Sequence, residues 1–128
     1  MNKVRPPSLA ARSAYVRSLY RVPGLRVRIG RRPCGWPLPG RSIVLLSACN
    51  PSGVRLPDGI NAHRMGLLDD ALRNVPHLLG EGRLGLWSEA LFAAAMPLAP
   101  ACRLARRFGQ NAVVALRPGR AAFLVWLA

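Results

Sequence analysis

Residues 43–74, IVLLSACNPSGVRLPDGINAHRMGLLDDALRN, decide the fold of this chain. The segment 42–49 is apolar almost throughout, as a central strand buried on both faces requires. Asn50-Pro51 ends it, because proline has no amide hydrogen for a sheet ladder. A Gly/Pro loop over 52–59 follows, and Asp58 stands where a helix N-cap is wanted. From about 60 to 73 apolar residues recur at helical spacing: Met65, Leu68, Ala71 and Leu72. Extended backward, that stripe passes through Asn61 and Arg64, so two polar residues fall on the buried face of the first turn. They look toward the end of the strand, where Asn50 sits. Asp69 and Arg73 form an i,i+4 pair outside, and Pro76 stops the helix.

On the N-terminal side, residues 1–7 read as a basic tail. Ser8 caps a short helix with Leu9, Tyr15 or Val16, and Leu19 as apolar positions. Arg12, Arg17 and Arg21 then face outward, and Pro23-Gly24 marks a turn. Residues 25–29 alternate strictly, with Leu25, Val27 and Ile29 one way and Arg26 and Arg28 the other. That is a half-buried strand with a basic outer face. Residues 30–41 form a loop, in which Trp36 either stacks on a base or covers the core edge.

On the C-terminal side, His77 reads as a surface or loop residue and 80–85 as a loop. Residues 84–96 fit helix by alanine content and strand by length and flanking glycines. Glu89 is a single carboxylate among apolar neighbours. Pro97 and Pro100 bracket a break. Residues 101–108 form a helix with Ala101, Leu104, Ala105 and Phe108 inside, closed by Gly109 at C′. Residues 112–116 and 121–127 form a hairpin across Arg117-Pro118-Gly119-Arg120, a type II turn by composition.

Hydrophobic residues make up 51% of 128 residues, enough for one globular core and against global disorder. The charge is lopsided. Nineteen basic residues face five acids, for a net +14. All ten basic residues of 1–41 lie in an acid-free stretch, whereas the remainder is only +4. Such an arm attracts nucleic acid, anionic lipid or an acidic protein. GC-rich coding explains arginine over lysine, but not the scarcity of acids. Cys34, Cys49 and Cys102 are an odd, scattered set, which argues against a disulfide framework and for a reduced cytoplasmic setting. No ligand spacing indicates a metal. No apolar run reaches membrane-spanning length, and the N-terminus lacks the apolar core of a secretory signal.

The ordered set Ala48-Cys49-Asn50-Pro51, then Asn61, Arg64 and Leu68, then Trp87 and Glu89, then 107–112 (RFGQNA), resembles a bacterial family, domain-of-unknown-function family 3293. The resemblance spans roughly 15–127. Members usually carry Pro-Ser after the glutamate, where this chain has Ala90-Leu91. The resemblance favours strand for 87–93 and implies no known activity, substrate or cofactor.

The resulting expectation is an α/β (α+β) two-layer domain over 15–128, preceded by a basic arm over 1–14. A mixed sheet of about five strands carries two or three helices and ends in the C-terminal hairpin. For function, Asn50, Asn61, Arg64, Glu89 and Gln110 gather into a polar cluster. It serves either a binding module, or a small enzyme or anion/nucleotide site, or a structural network built on a buried Arg64–Glu89 pair. The other surface reading is nonspecific nucleic-acid or polyanion binding through Arg26, Arg28, Arg31 and Arg32. A partner-dependent structural protein remains a further class. No nucleophile–base–orienter set and no Gly-rich phosphate loop is visible.

Overall fold

A computed structural model describes residues 6–127; the basic tail expected over 1–7 lies mostly outside the described residues. The elements, in chain order, are α1 (Leu9–Arg17), β1 (Leu19–Val22), β2 (Leu25–Val27), β3 (Ile43–Leu46), α2 (Asp58–Ala71), β4 (His77–Leu84), β5 (Trp87–Ala95), α3 (Leu98–Arg107), β6 (Ala112–Leu116) and β7 (Phe123–Trp126). The strands form one sheet in the order β2-β1-β4-β5-β3-β6-β7.

Every neighbour in that sheet is antiparallel. The expected mixed sheet of about five strands is therefore corrected to seven antiparallel strands. The sheet is built of three hairpins, β1–β2, β4–β5 and β6–β7: β1 pairs with β4 to join the first two, and β3 enters between β5 and β6 to join the last two. The reading of β3 as central and doubly buried holds: all four of its residues are buried.

The two unexpected strands have separate causes. The apolar spacing extends a helix through Leu19 and Arg21, but α1 ends at Arg17, and the Oγ of its C-cap Ser18 turns back to the Ala14 carbonyl. The segment 80–85 looked like a loop because of its glycines. In β4 those glycines instead allow close approach. A Cβ on Gly80 would lie 2.0 Å from the Arg21 carbonyl oxygen, and one on Gly82 would lie 3.0 Å from the Tyr20 ring. Glycine here admits β1 alongside rather than breaking the strand.

The sheet has two cores, one per face, and the strand alternation sorts residues between them. On the convex face Val44, Leu46, Phe92, Ala94 and Val113 pack under α2 and α3 with Met65, Leu68, Leu72, Ala101 and Ala105. Full burial of a leucine such as Leu68 or Leu72 contributes about 2 kcal/mol. On the concave face Ile43, Leu45, Leu91, Ala93, Val114 and Leu116 meet Tyr20, Val22, Leu25 and Val27 from the far end of the same sheet. The sheet thus curls into a half-barrel. Its two ends touch where Gly30 donates to the Ala122 carbonyl and Ala122 donates to the Arg31 carbonyl, both at 2.8 Å. Trp36 packs against this concave core and donates Nε1 to the Gly40 carbonyl, so it covers the core edge.

Helix ends follow local chemistry, with three corrections. Ser8 caps α1 by accepting from the Ala11 amide. Asp58 is not the cap of α2; Pro57 holds that position and Asp58 is the first helical residue, where its charge favours the helix dipole. Pro100 does not break the chain but sits in the first turn of α3, where its missing amide costs nothing. Asp69 pairs with His77 of β4 rather than with Arg73, and Arg73 meets Asp70 instead. Gly109 (φ 70) follows α3 at C′, and Gly119 (φ 70) occupies the third position of the final turn, both as expected. The strand assignment for 87–93 holds, and β5 runs two residues further.

Candidate functional site

The polar cluster forms where β3 runs out. Asn50 adopts the left-handed region (φ 48, ψ 61), and Ser52, two residues on, does the same (φ 54). Asparagine tolerates that region better than most side chains. The kink turns the chain so that the Ser52 amide donates to the Gly109 carbonyl at 2.7 Å. Pro51 and Gly109 are then so close that a Cβ on Gly109 would lie 2.9 Å from Pro51 Cβ. Two loops, 50–56 and 108–111, are clamped together at one end of the half-barrel.

Most of the expected site residues hold that clamp. The Asn50 amide donates to Asn61 Oδ1 at 3.0 Å, and Asn61 Nδ2 returns a bond to Asn50 Oδ1 at 2.8 Å. Asn50 Oδ1 also accepts from the Leu56 amide. Gln110, only 3% exposed, donates Nε2 to the Cys49 and Phe108 carbonyls. Arg64 donates Nε to the Ala48 carbonyl at 2.6 Å and Nη2 to the Phe108 carbonyl at 2.5 Å. No ion pair joins Arg64 to Glu89 among the described residues, so the expected buried pair is overturned. The cause is the supply of unpaired backbone: the strand end and the C-terminus of α3 leave carbonyls free, and a guanidinium fork fits two of them. Such carbonyls are invisible in a string of side-chain letters.

Glu89 belongs to the other face of the sheet. It shares the concave side with Leu91 and Ala93, and one of its oxygens, Oε1, accepts from Asn50 Nδ2 at 2.9 Å. It lines a cavity of about 30 Å³ at the half-barrel mouth, together with Tyr15, Tyr20, Ser47, Gln110 and Val114. Burial pushes the Glu89 carboxyl up to about 7, against the lowering effect of the Asn50 hydrogen bond. Burial, and then the Glu89 charge, also raise the Tyr15 hydroxyl. The Cys49 thiol is raised by burial first, and Glu89 adds to this against the opposing Ser47 hydrogen bond. A thiol held protonated in this way is a poor nucleophile. Asn111, 1% exposed, lies under Gly53, and its side-chain amide makes no hydrogen bond among the described residues.

The second grouping is basic. Arg26 is exposed on β2, directly opposite Arg21 on β1. Both point to the convex face, where α2 and α3 do not reach. Arg21 binds Glu81 through Nε at 3.0 Å and Nη2 at 2.7 Å. Arg26 has only a shallow depression beside it, of about 320 Å³, framed by Arg21, Gly24, Leu25 and Cys34. Arg28, Arg31 and Arg32 continue the basic surface. The backbone bonds between Arg31 and Ala122 bring the exposed turn carrying Arg117 and Arg120 beside them. The sequence placed Arg26 and Arg28 on an outer face; it did not reveal that Arg21, Arg117 and Arg120 join them, because that depends on sheet closure.

Among the described residues no three of His, Cys, Asp and Glu gather as metal ligands, and no helix is long and apolar enough to cross a membrane. No curated protein and no solved structure matches the chain. A family model described as a protein of unknown function, DUF3293, matches residues 46–113. That span runs from the end of β3 to β6 and contains Asn50, Asn61, Arg64, Glu89 and Gln110. It covers more than half of the sequence, and the chain belongs to the DUF3293 family.

Proposed function

We propose that this protein is a binding module that grips the phosphate backbone of nucleic acid through Arg26, Arg28, Arg31 and Arg32, with Arg21, Arg117 and Arg120 beside them. The observation that carries the reading is the Arg21–Arg26 pair. Like charges directly opposite in a sheet destabilise it, and here Glu81 pairs with Arg21 at 2.7 Å and with Arg83 at 3.7 Å, while no ion pair reaches Arg26 among the described residues. A phosphate in the adjoining depression would relieve the repulsion. Arginine suits this role because its planar fork matches phosphate oxygens.

The contacts would be to backbone alone. Among the described residues these arginines lie on a strand pair, a loop and a turn, which suits contact with a phosphate backbone. In this reading Asn50, Asn61 and Arg64 hold the loops that shape the half-barrel and touch no ligand.

The test is fluorescence anisotropy of the full chain with two labelled duplexes of unrelated sequence. Both should bind alike at about 50 mM salt and weaken steeply by about 200 mM. Failure to bind at low salt, or strong preference for one sequence, overturns the reading. Poly-glutamate that displaces the duplex at equal charge would point instead to an acidic protein as partner.

A further inference from the structure

We infer that the mouth of the half-barrel, between Glu89 and Gln110, is a binding site for the protonated amine head of a small ligand. The argument is an inventory of hydrogen-bonding atoms. Gln110 Nε2 donates to two carbonyls, Cys49 at 2.9 Å and Phe108 at 3.3 Å. Both partners are acceptors, so the amide orientation is fixed and Oε1 is the atom left over. Glu89 Oε1 accepts from Asn50, and Glu89 Oε2 makes no hydrogen bond among the described residues. Ser47 Oγ donates to the Ala90 carbonyl and accepts from the Cys49 amide, so its own proton is spent. The Tyr20 hydroxyl donates to the Tyr15 carbonyl, away from any ligand.

The cavity therefore offers two acceptors, a carboxylate oxygen and an amide oxygen, and one hydroxyl, that of Tyr15, which can donate or accept. The neighbouring cation, Arg64, directs its donors at the Ala48 and Phe108 carbonyls. An anion finds little to bind here, whereas an ammonium group brings three donors and a charge opposite to that of Glu89. Size agrees. A cavity of about 30 Å³ holds one ammonium-sized group. The rest of the ligand must stay in the open mouth, near the half-exposed Trp87, which lies two residues before Glu89 on the same face of β5. The walls, Leu45, Leu91 and Val114, are apolar and strengthen the charge interaction by excluding water. The titratable groups facing Glu89 are Tyr15 from α1, Tyr20 from β1 and Cys49 after β3, all of them neutral at pH 7 because burial raises each. The site is independent of the arginine face, and salt separates the two. Screening weakens phosphate binding but eases the repulsion of a small cation by a +14 protein.

The experiment is an NMR titration of the full chain with ethylammonium chloride, against tetramethylammonium chloride and potassium chloride at equal ionic strength. The amide resonances of Asn50, Glu89 and Gln110 should shift saturably with ethylammonium only. Tetramethylammonium carries charge without N–H donors. Glu89→Gln should weaken binding by about tenfold or more. Equal shifts in all three salts, or unchanged binding by the variant, overturns the inference. A second measurement holds even if the variant is perturbed. Saturating ethylammonium should pull the Glu89 carboxyl below about 7 in the unaltered protein, and a carboxyl that titrates unchanged overturns the inference as well.

Discussion

Asn50 donates Nδ2 to Oε1 of Glu89 at 2.9 Å, and this one bond couples the clamped loops to the concave face of the sheet. Asn50 can do this because its left-handed backbone turns the side chain back across the end of β3, while its Oδ1 is engaged by Leu56 and Asn61. The carboxylate it holds is half-buried, and no arginine or lysine pairs with it among the described residues.

Stability should therefore depend on pH through Glu89. Its folded value, raised to about 7, exceeds the ordinary 4.5, so the folded state binds the extra proton between those limits. Stability is highest below about 4.5 and falls as pH rises through about 7, by up to about 3 kcal/mol before discounting for solvent screening. Urea melts at pH 5 and pH 8 measure this. Glu89→Gln should flatten the profile and be the more stable protein at pH 8; a profile with the same slope in both proteins would sink the account of Glu89.

Arg64→Met should cost about 1–3 kcal/mol, because it strips donors from the Ala48 and Phe108 carbonyls. Because Arg64 does not pair with Glu89, the double variant with Glu89→Gln should be additive within about 0.5 kcal/mol. A double-mutant cycle in urea decides it, and a large coupling energy would restore the ion pair.

Gly80→Ala should be costly, by about 3 kcal/mol, because the added methyl overpacks a close strand contact. The new methyl would meet the Arg21 carbonyl and the Val22 side chain, prising β1 from β4. Hydrogen exchange should show the loss concentrated in β1 and β2. Uniform protection with unchanged stability would contradict the close approach.

His77 titrates above its ordinary value. Desolvation pulls it down, but the Asp69 carboxylate and the Val75 carbonyl outweigh that and raise it. Asp69→Asn should lower the His77 value, read directly from imidazole proton shifts in NMR. The ion pair strengthens the fold at low pH and fades as pH rises through the folded value.

The legible parts of this molecule are those that a single segment's chemistry decides. The buried run of β3, the Met65, Leu68 and Leu72 positions of the α2 stripe (its Ala71 is exposed), the Gly109 stop and the Pro-Gly turn before β7 were readable because each needs only its own residues. The failures are nonlocal. Gly80 and Gly82 signal a loop until β1 is laid against them. Arg64 signals an ion pair until the free carbonyls at Ala48 and Phe108 come within its reach. The position of Arg64 on the inner stripe was correct and only its partner was wrong. Glu89 was grouped with Arg64, but the pleat of β5 places it on the opposite face.

The arginine face is tested most directly by the salt dependence of duplex binding. For the unaltered chain the slope of log K against log salt gives the number of phosphates neutralised, at about 0.9 per contact. Arg26→Ala combined with Arg31→Ala should leave the fold intact, since both side chains are exposed. The account predicts a slope shallower by about two units, with equal loss on both duplex sequences. A slope that does not change when these two arginines are removed would contradict it.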